Sequence, residues 1–403
     1  MKDLFNFIVK NINKTKISAS NKKLILEEVA KLRTFIVDAR PARIAIVGRR
    51  GAGKSSLINA MLSEDRAEIG HTKSQTGMGK WYTFKNELGG IEILDTRGLG
   101  EASRPEEKVM AANPLDEIKK AVEEKCPDVI LFLSKAKEVD ARLEEDLVQL
   151  KQLRDMISET HFYDIPIVGI VTQVDELAPL SNIDPPFDHP DKQANIKETV
   201  DILTRRIADY IAEPVKVIPV AAYMEFDHGK IVYDRRWNID KLIDFLLTKL
   251  PQEAQMILAK LTKINAVQKK LAREISISVI GITGLIGASP IPIADMPVIT
   301  GLQISLIGSI AIIGGQKLTR KSIIEFVGAM GLNVGVGLAF REVARQLAKV
   351  IPLAGNVVSG AVASAGTYAI SEAAITYYID RKSKAEAKEV FDEEMKKYKE
   401  KND

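Results

Sequence analysis

Apolar and polar positions change rhythm along the chain. Residues 41–250 alternate short apolar runs with longer charged stretches: "RIAIV" at 43–47, "IEILD" at 91–95, "IPIVGIV" at 165–171 and "VKVIPV" at 215–220. Apolar runs of this length bounded by turn residues read as buried strands, and the charged stretches between them as amphipathic helices. That alternation predicts an α/β domain built on a mostly parallel, doubly wound sheet. From Ile275 the rhythm differs. Residues 275–294, 296–316 and 350–371 carry no Asp, Glu, Lys or Arg. Such stretches predict helices apolar on most sides, paired as hairpins over 275–316 and 323–375. Pro41 and Pro251 punctuate the changes. The expected organisation is an N-terminal helical segment at 1–40, an α/β domain at 41–250 and an all-α domain at 251–403, with the first segment packed beside the third.

Composition alters this picture little. A chain of 403 residues has room for two or three domains, and 46% hydrophobic with 28% charged residues is ordinary for a folded protein. The net charge of +3 supplies no global attraction to nucleic acid. One cysteine, Cys126, cannot close an internal disulfide, so a reducing, cytoplasmic setting is expected. The first twenty residues lack an apolar run long enough for a secretory signal. His71, His161, His189 and His228 are scattered without metal-ligand spacing.

Chemistry enters at the strand ends. "GRRGAGKS" (48–55) follows one apolar run and opens an amphipathic stretch, the context in which a G-x-x-x-x-G-K-S loop cradles phosphates. Backbone amides of Arg50, Gly51, Ala52 and Gly53 would turn inward, Lys54 would reach the outer phosphates, and the Ser55 hydroxyl would ligate Mg2+, with Ser56 next along the helix. Asp95 ends a second apolar run, the place for an acid that holds the same ion, and the Gly98 amide would meet the terminal phosphate. Asp175 follows a third run and can accept two parallel hydrogen bonds from guanine, a pair that adenine does not offer. Ala221 and Ala222 follow the fourth, where a backbone N–H would meet the guanine oxygen. These signals at successive strand ends imply binding of GTP and GDP.

GRRGAGKS, DTRG, TQVD and VAA together resemble the translation-factor-related GTPases, in particular their Era-like and septin-like branches, over about 41–250. The resemblance implies a P-loop fold that hydrolyses GTP with Mg2+. In that family Asn often stands at the place of Thr172, and at the place of Gln173 a Lys whose stem covers the base. The resemblance also implies a threonine that closes over the metal and the terminal phosphate; Thr76 lies at the matching separation, and Thr72 is the alternative. Leu99 stands after Gly98, where small signalling GTPases place a glutamine that orients water. Slow intrinsic hydrolysis is therefore expected unless Arg49, Arg50 or Arg97 assists, within the chain or across a homodimer formed through the nucleotide face.

Two readings compete for the C-terminal third. Uncharged runs of about twenty residues suffice to enter a bilayer, with the basic segment 258–273 on anionic headgroups, so membrane contact through 258–372 is one expectation. A compact soluble bundle is the other, and Gln303, Asn333, Asp295, Glu325 and Glu372 suit it. Gly281/Gly284 and Gly331/Gly335 have the spacing that lets helices approach closely. Pro290, Pro292, Ala294, Asp295 and Gln303 resemble an uncharacterised helical family appended to bacterial GTPases, and the layout is similar to the dynamin-like, immunity-related GTPases. A soluble Era-type factor acting on RNA or the ribosome is the alternative, although no nucleic-acid-binding appendage is recognisable. A GTP sensor with negligible turnover is another. "NIDPPFDHPDKQ" (182–193) reads as a solvated insertion.

Overall fold

Five consecutive buried apolar residues in "VILFLSK" (129–135), followed by buried Ser134, explain why the middle of the chain forms a sheet covered on both faces. The computed structural model describes residues 2–14, 17–63, 68–70, 81–86, 88–95, 114–140, 143–228, 230–288, 292–316, 319–330 and 360–402. Thr72, Thr76, Arg97, Gly98, Leu99, Pro290, Gly331, Asn333 and Gly335 lie outside the described residues, as do the side chains of Asp95, Pro292, Ala294 and Asp295. The chain divides into two compact units, Pro41–Thr262 and Met1–Arg40 with Lys263–Asp403. The division falls beyond the Pro251 read from the sequence.

Helices α1 (Lys2–Ile12) and α2 (Ala19–Val37) open the chain. The Ser18 side chain caps α2 by accepting from the Asn21 N–H. The sheet of the α/β unit contains β1 (Ala42–Val47), β2 (Glu68–Gly70), β3 (Trp81–Asn86), β4 (Gly89–Asp95), β5 (Val129–Lys135), β6 (Ile167–Thr172) and β7 (Lys216–Pro219). Their order is β2-β3-β4-β1-β5-β6-β7. β4, β1, β5, β6 and β7 are parallel, while β2 and β3 run antiparallel at one edge. The chain leaves β1 toward β4 and returns on its other side with β5, which makes the carboxyl end of β1 the switch point where doubly wound sheets bind ligands. Helices α3 (Lys54–Leu62), α4 (Pro114–Glu124), α5 (Glu144–His161), α6 (Pro190–Ile211), α7 (Ile239–Lys249) and α8 (Gln252–Thr262) belong to the same unit. Leu147, Leu150, Leu153 and Ile157 give α5 its buried stripe at helical spacing. Full burial of a ring such as Phe132 in this core is worth about 1.5–3 kcal/mol. A separate hairpin, β8 (Met224–Asp227) and β9 (Lys230–Asp234), follows β7.

The other unit joins α1 and α2 to α9 (Asn265–Gly287), α10 (Pro292–Ile313), α11 (Arg320–Ala329), α12 (Gly360–Tyr378) and α13 (Lys384–Asn402). α10 is its centre, packed by α1, α9 and α12, and Val298–Ile313 is buried throughout except for half-buried Ile312. Its serines are satisfied locally, Ser305 Oγ donating to the Gly301 carbonyl and Ser309 Oγ to that of Ser305, while Gln303 Nε2 donates to Thr367 Oγ1 at 3.1 Å and its buried Oε1 has no partner among the described residues. Two cations of the basic segment are paired within the unit: Lys269 with Asp380 at 2.8 Å and Arg273 with both oxygens of Glu372 at 3.0 Å. Glu325 lies 3.2 Å from Lys384. Among the described residues no helix is long and apolar enough to cross a membrane.

Candidate functional site

The turn from β1 into α3 is built by glycines in conformations other residues rarely adopt. Gly48 has φ +153°, and a Cβ there would stand 2.6 Å from the Leu133 carbonyl oxygen of β5. Gly53 has φ +85° and is the residue from which α3 starts, so the helix opens with no side chain between its first amides and the crevice. Lys54, Ser55 and Ser56 are the first three residues of that helix, and the two serines are exposed at its N-terminus. Lys54 Nζ donates to the carbonyls of Gly48 and Arg49, so the lysine lies across its own loop. Ala52 is buried, and Arg50 is exposed on the rim.

Arg49 turns away from that rim. Its Nε donates to Asp146 of α5 at 2.7 Å, and the aspartate is 8% exposed. Burial pushes the Asp146 carboxyl above its ordinary range, with the charge and hydrogen bond of Arg49 opposing. Asp95 ends β4 in register with Ile46, one strand from the loop. That register brings the backbone of Asp95 alongside the end of β1.

The loop after β6 meets the loop after β1 through two side chains. Buried Thr172 donates to the Ala52 carbonyl at 2.9 Å or to that of Ser134 at 3.3 Å, and Gln173 Nε2 donates to the Gly51 carbonyl at 3.1 Å. Gln173 adopts φ +58°, which turns the chain into a 3-10 turn at Val174–Glu176 that carries Asp175. Asp175 is 6% exposed. A carboxylate that buried needs partners. Arg235 Nη1 stands 3.4 Å from its Oδ2, and Lys192, fully buried on α6, donates to the Asp175 and Leu177 carbonyls, each at 2.6 Å. Burial pulls the Lys192 ammonium below its ordinary range, with Asp175 pulling the other way. Neither cation was flagged by the sequence pattern.

Past β7, buried Ala221 bridges to Trp237: its N–H donates to the Trp237 carbonyl at 3.2 Å and its carbonyl accepts at 3.0 Å. The Ala221 amide is therefore already spent, and Ala222 is the next one along. The 182–193 stretch is exposed over most of its length, as a solvated insertion would be, but it is anchored at Phe187 and Lys192. Phe187 is fully buried against Trp237, ring centroids 5.3 Å apart, and Asp184 accepts from Arg235 Nε at 3.0 Å. The structure thus gathers Lys54, Ser55, Thr172, Gln173 and Asp175 at one rim; Thr76 and Gly98 are outside the described residues.

Residues 43–173 match a family model described as 50S ribosome-binding GTPase. The tRNA modification GTPase MnmE of Mycoplasma genitalium is 28% identical over 261 residues, 62% of this chain and 53% of that protein. The GTPase Der of a Bradyrhizobium species is 41% identical over 85 residues, 20% of this chain and 18% of its own. The chain thus spans about half the length of the first of these relatives and less than a fifth of the second. Among solved structures, Era in complex with MgGDPNP and nucleotides 1506–1542 of 16S ribosomal RNA is 23% identical, with 53% of this chain and 58% of that chain covered at a TM-score of 0.33.

Proposed function

From a P-loop GTPase domain at residues 43–173, we propose that the chain binds GTP and GDP with Mg2+, hydrolyses GTP to GDP and phosphate, and couples the nucleotide state to its helical unit. One observation carries this reading. The hydrogen bonds of Thr172 and Gln173 to the Ala52 and Gly51 carbonyls bring a phosphate-binding loop and the buried carboxylate of Asp175 to one crevice. Amides of residues 50–53 and the N-terminus of α3 take the phosphates, and Lys54 leaves the Gly48 and Arg49 carbonyls to meet the outer ones. Asp175 accepts the paired donors of guanine, and the Ala222 amide takes the base oxygen in place of the committed Ala221 amide. The hydroxyl of Ser55 and the carboxylate of Asp95 are hard oxygen donors suited to Mg2+, with Thr76 the third candidate. When bound, the ion neutralises charge on the β- and γ-phosphates. Gly98 offers its amide to the terminal phosphate.

Leu99 has no atom to hold the attacking water, and Arg49 is tied to Asp146. The reading includes activation by pairing of two nucleotide faces, and the exposure of Arg50 supports it as the arginine offered to a partner. The helical unit then meets a membrane surface or a protein partner according to the nucleotide bound. Calorimetry with GTP, GDP and ATP tests the reading: guanine nucleotides bind in the presence of Mg2+ and ATP does not. Tight ATP binding with no heat from GTP or GDP would sink it. The internal pairing of Lys269 and Arg273 favours a protein partner over a headgroup surface, because those cations are already matched.

A further inference from the structure

Asp175 is not the only residue committed to the base loop. Arg235, on the segment after β9, is 15% exposed and fixed on every side. Its Nε and Nη2 donate to the Tyr233 hydroxyl at 3.2 and 2.6 Å, and its Nε also donates to Asp184 at 3.0 Å. The Tyr233 hydroxyl donates in turn to Asp184. The rings of Tyr223 and Tyr233 lie 5.3 and 5.1 Å from the guanidinium carbon. Burial pulls the guanidinium down, but its hydrogen bonds outweigh that and hold it above its ordinary range. Nε and Nη2 are thus engaged by the anchors, and Nη1 is the nitrogen left for Asp175 Oδ2.

We propose that Arg235 is a positioning residue for guanine selection: held by Tyr233 and Asp184, it aims the Asp175 carboxylate so that guanine meets it with both donors. This rests on the reading of Asp175 as the base-reading carboxylate. A carboxylate offers about four lone-pair sites. One single contact from Arg235 to Oδ2 leaves enough of them for the ring N–H and the exocyclic amino group of guanine. Lys192 fixes the same residue from behind through its main-chain carbonyl, so the carboxylate has little freedom once Arg235 holds it. The 182–193 stretch and the β8–β9 hairpin then act as the scaffold of a specificity element, since they carry Asp184 and Tyr233.

The test uses the full chain and two nucleotides, GDP and inosine diphosphate, which lacks the exocyclic amino group. In Arg235→Ala, GDP affinity falls about ten- to a hundredfold and the preference for GDP over inosine diphosphate collapses toward unity, because a misaimed carboxylate no longer gains from the second donor. A merely structural loss lowers both affinities equally and leaves the preference intact, which would overturn the inference. Asp184→Asn touches no nucleotide and keeps the volume, so it serves if the alanine variant does not fold; it reproduces part of the lost preference. An Asp184→Asn protein with the wild-type preference overturns the inference alone. Wild-type chain that fails to bind GDP overturns the Asp175 reading and this one with it.

Discussion

The Thr172 hydroxyl has one proton and two carbonyls in reach, Ala52 at 2.9 Å and Ser134 at 3.3 Å. That hydroxyl ties the loop after β6 to the loop after β1. Thr172→Ala leaves the Ala52 carbonyl without its donor and lowers GDP affinity by about tenfold, whereas Thr172→Asn keeps it close to wild type; equilibrium binding of both variants checks this. Asp146 gives a pH dependence. Its pKa is raised in the folded chain, chiefly by burial, so its contribution to stability is complete below the unfolded value of 3.8 and is lost as pH rises through the folded value. Asp146→Asn therefore gains on wild type in thermal melts as pH rises above the unfolded value of 3.8, until the folded carboxyl has ionised. An Asn variant that loses ground at neutral pH would show that the pair with Arg49 outweighs burial. Lys54 and Asp175 were legible because a phosphate loop and a strand-end carboxylate have local signatures. Arg235 and Lys192 were not, because only the fold brings them to Asp175 from later positions in the chain. The partner of the Ala221 amide, Trp237, is likewise a tertiary neighbour that the sequence does not show.

At the scale of elements, the small residues of the helical unit separate into those that meet a neighbour and those that do not. A Cβ on Gly360 would stand 2.4 Å from the Gly284 carbonyl oxygen, so α9 and α12 touch backbone to backbone there. Gly281, one turn earlier and exposed, has nothing within 4 Å of where a Cβ would go. Gly360→Ala must push the helices apart and costs about 1–3 kcal/mol. Gly281→Ala removes only the flexibility of a helical glycine and gains about 0.5–1 kcal/mol. Denaturant melts of the two single variants should move in opposite directions, and a shared direction would mean that α9 and α12 do not pack as described. The sequence held the stripe but not which glycine of it faces a neighbour, since helical spacing marks a face and not its contacts. Likewise "KLTKINAVQKKLAREI" (260–275) reads as a basic surface helix until Asp380 and Glu372, a hundred residues away or so, are seen to pair with Lys269 and Arg273.

Across the whole molecule, every described site residue falls within Pro41–Thr262, and each unit has its own core. Arg49 is tied to Asp146, the proposed reading gives Lys54 to the phosphates, and Leu99 is apolar. Arg50 is the arginine of the phosphate loop that lies exposed. If pairing of nucleotide faces supplies what one copy lacks, the rate per copy must depend on concentration, since an encounter comes before the chemistry. An arginine brought to the transition state is worth about 10³–10⁵ in rate, so even a weak dimer would dominate turnover once populated. GTP turnover per copy should therefore rise with protein concentration and then level off. Arg50→Ala should flatten that rise while leaving GDP affinity within a few-fold of wild type, because its side chain is not among the groups that cradle the nucleotide in a single copy. A wild-type rate that is fast and independent of concentration would place the activating group inside one chain, and Arg97 would then be the residue to replace.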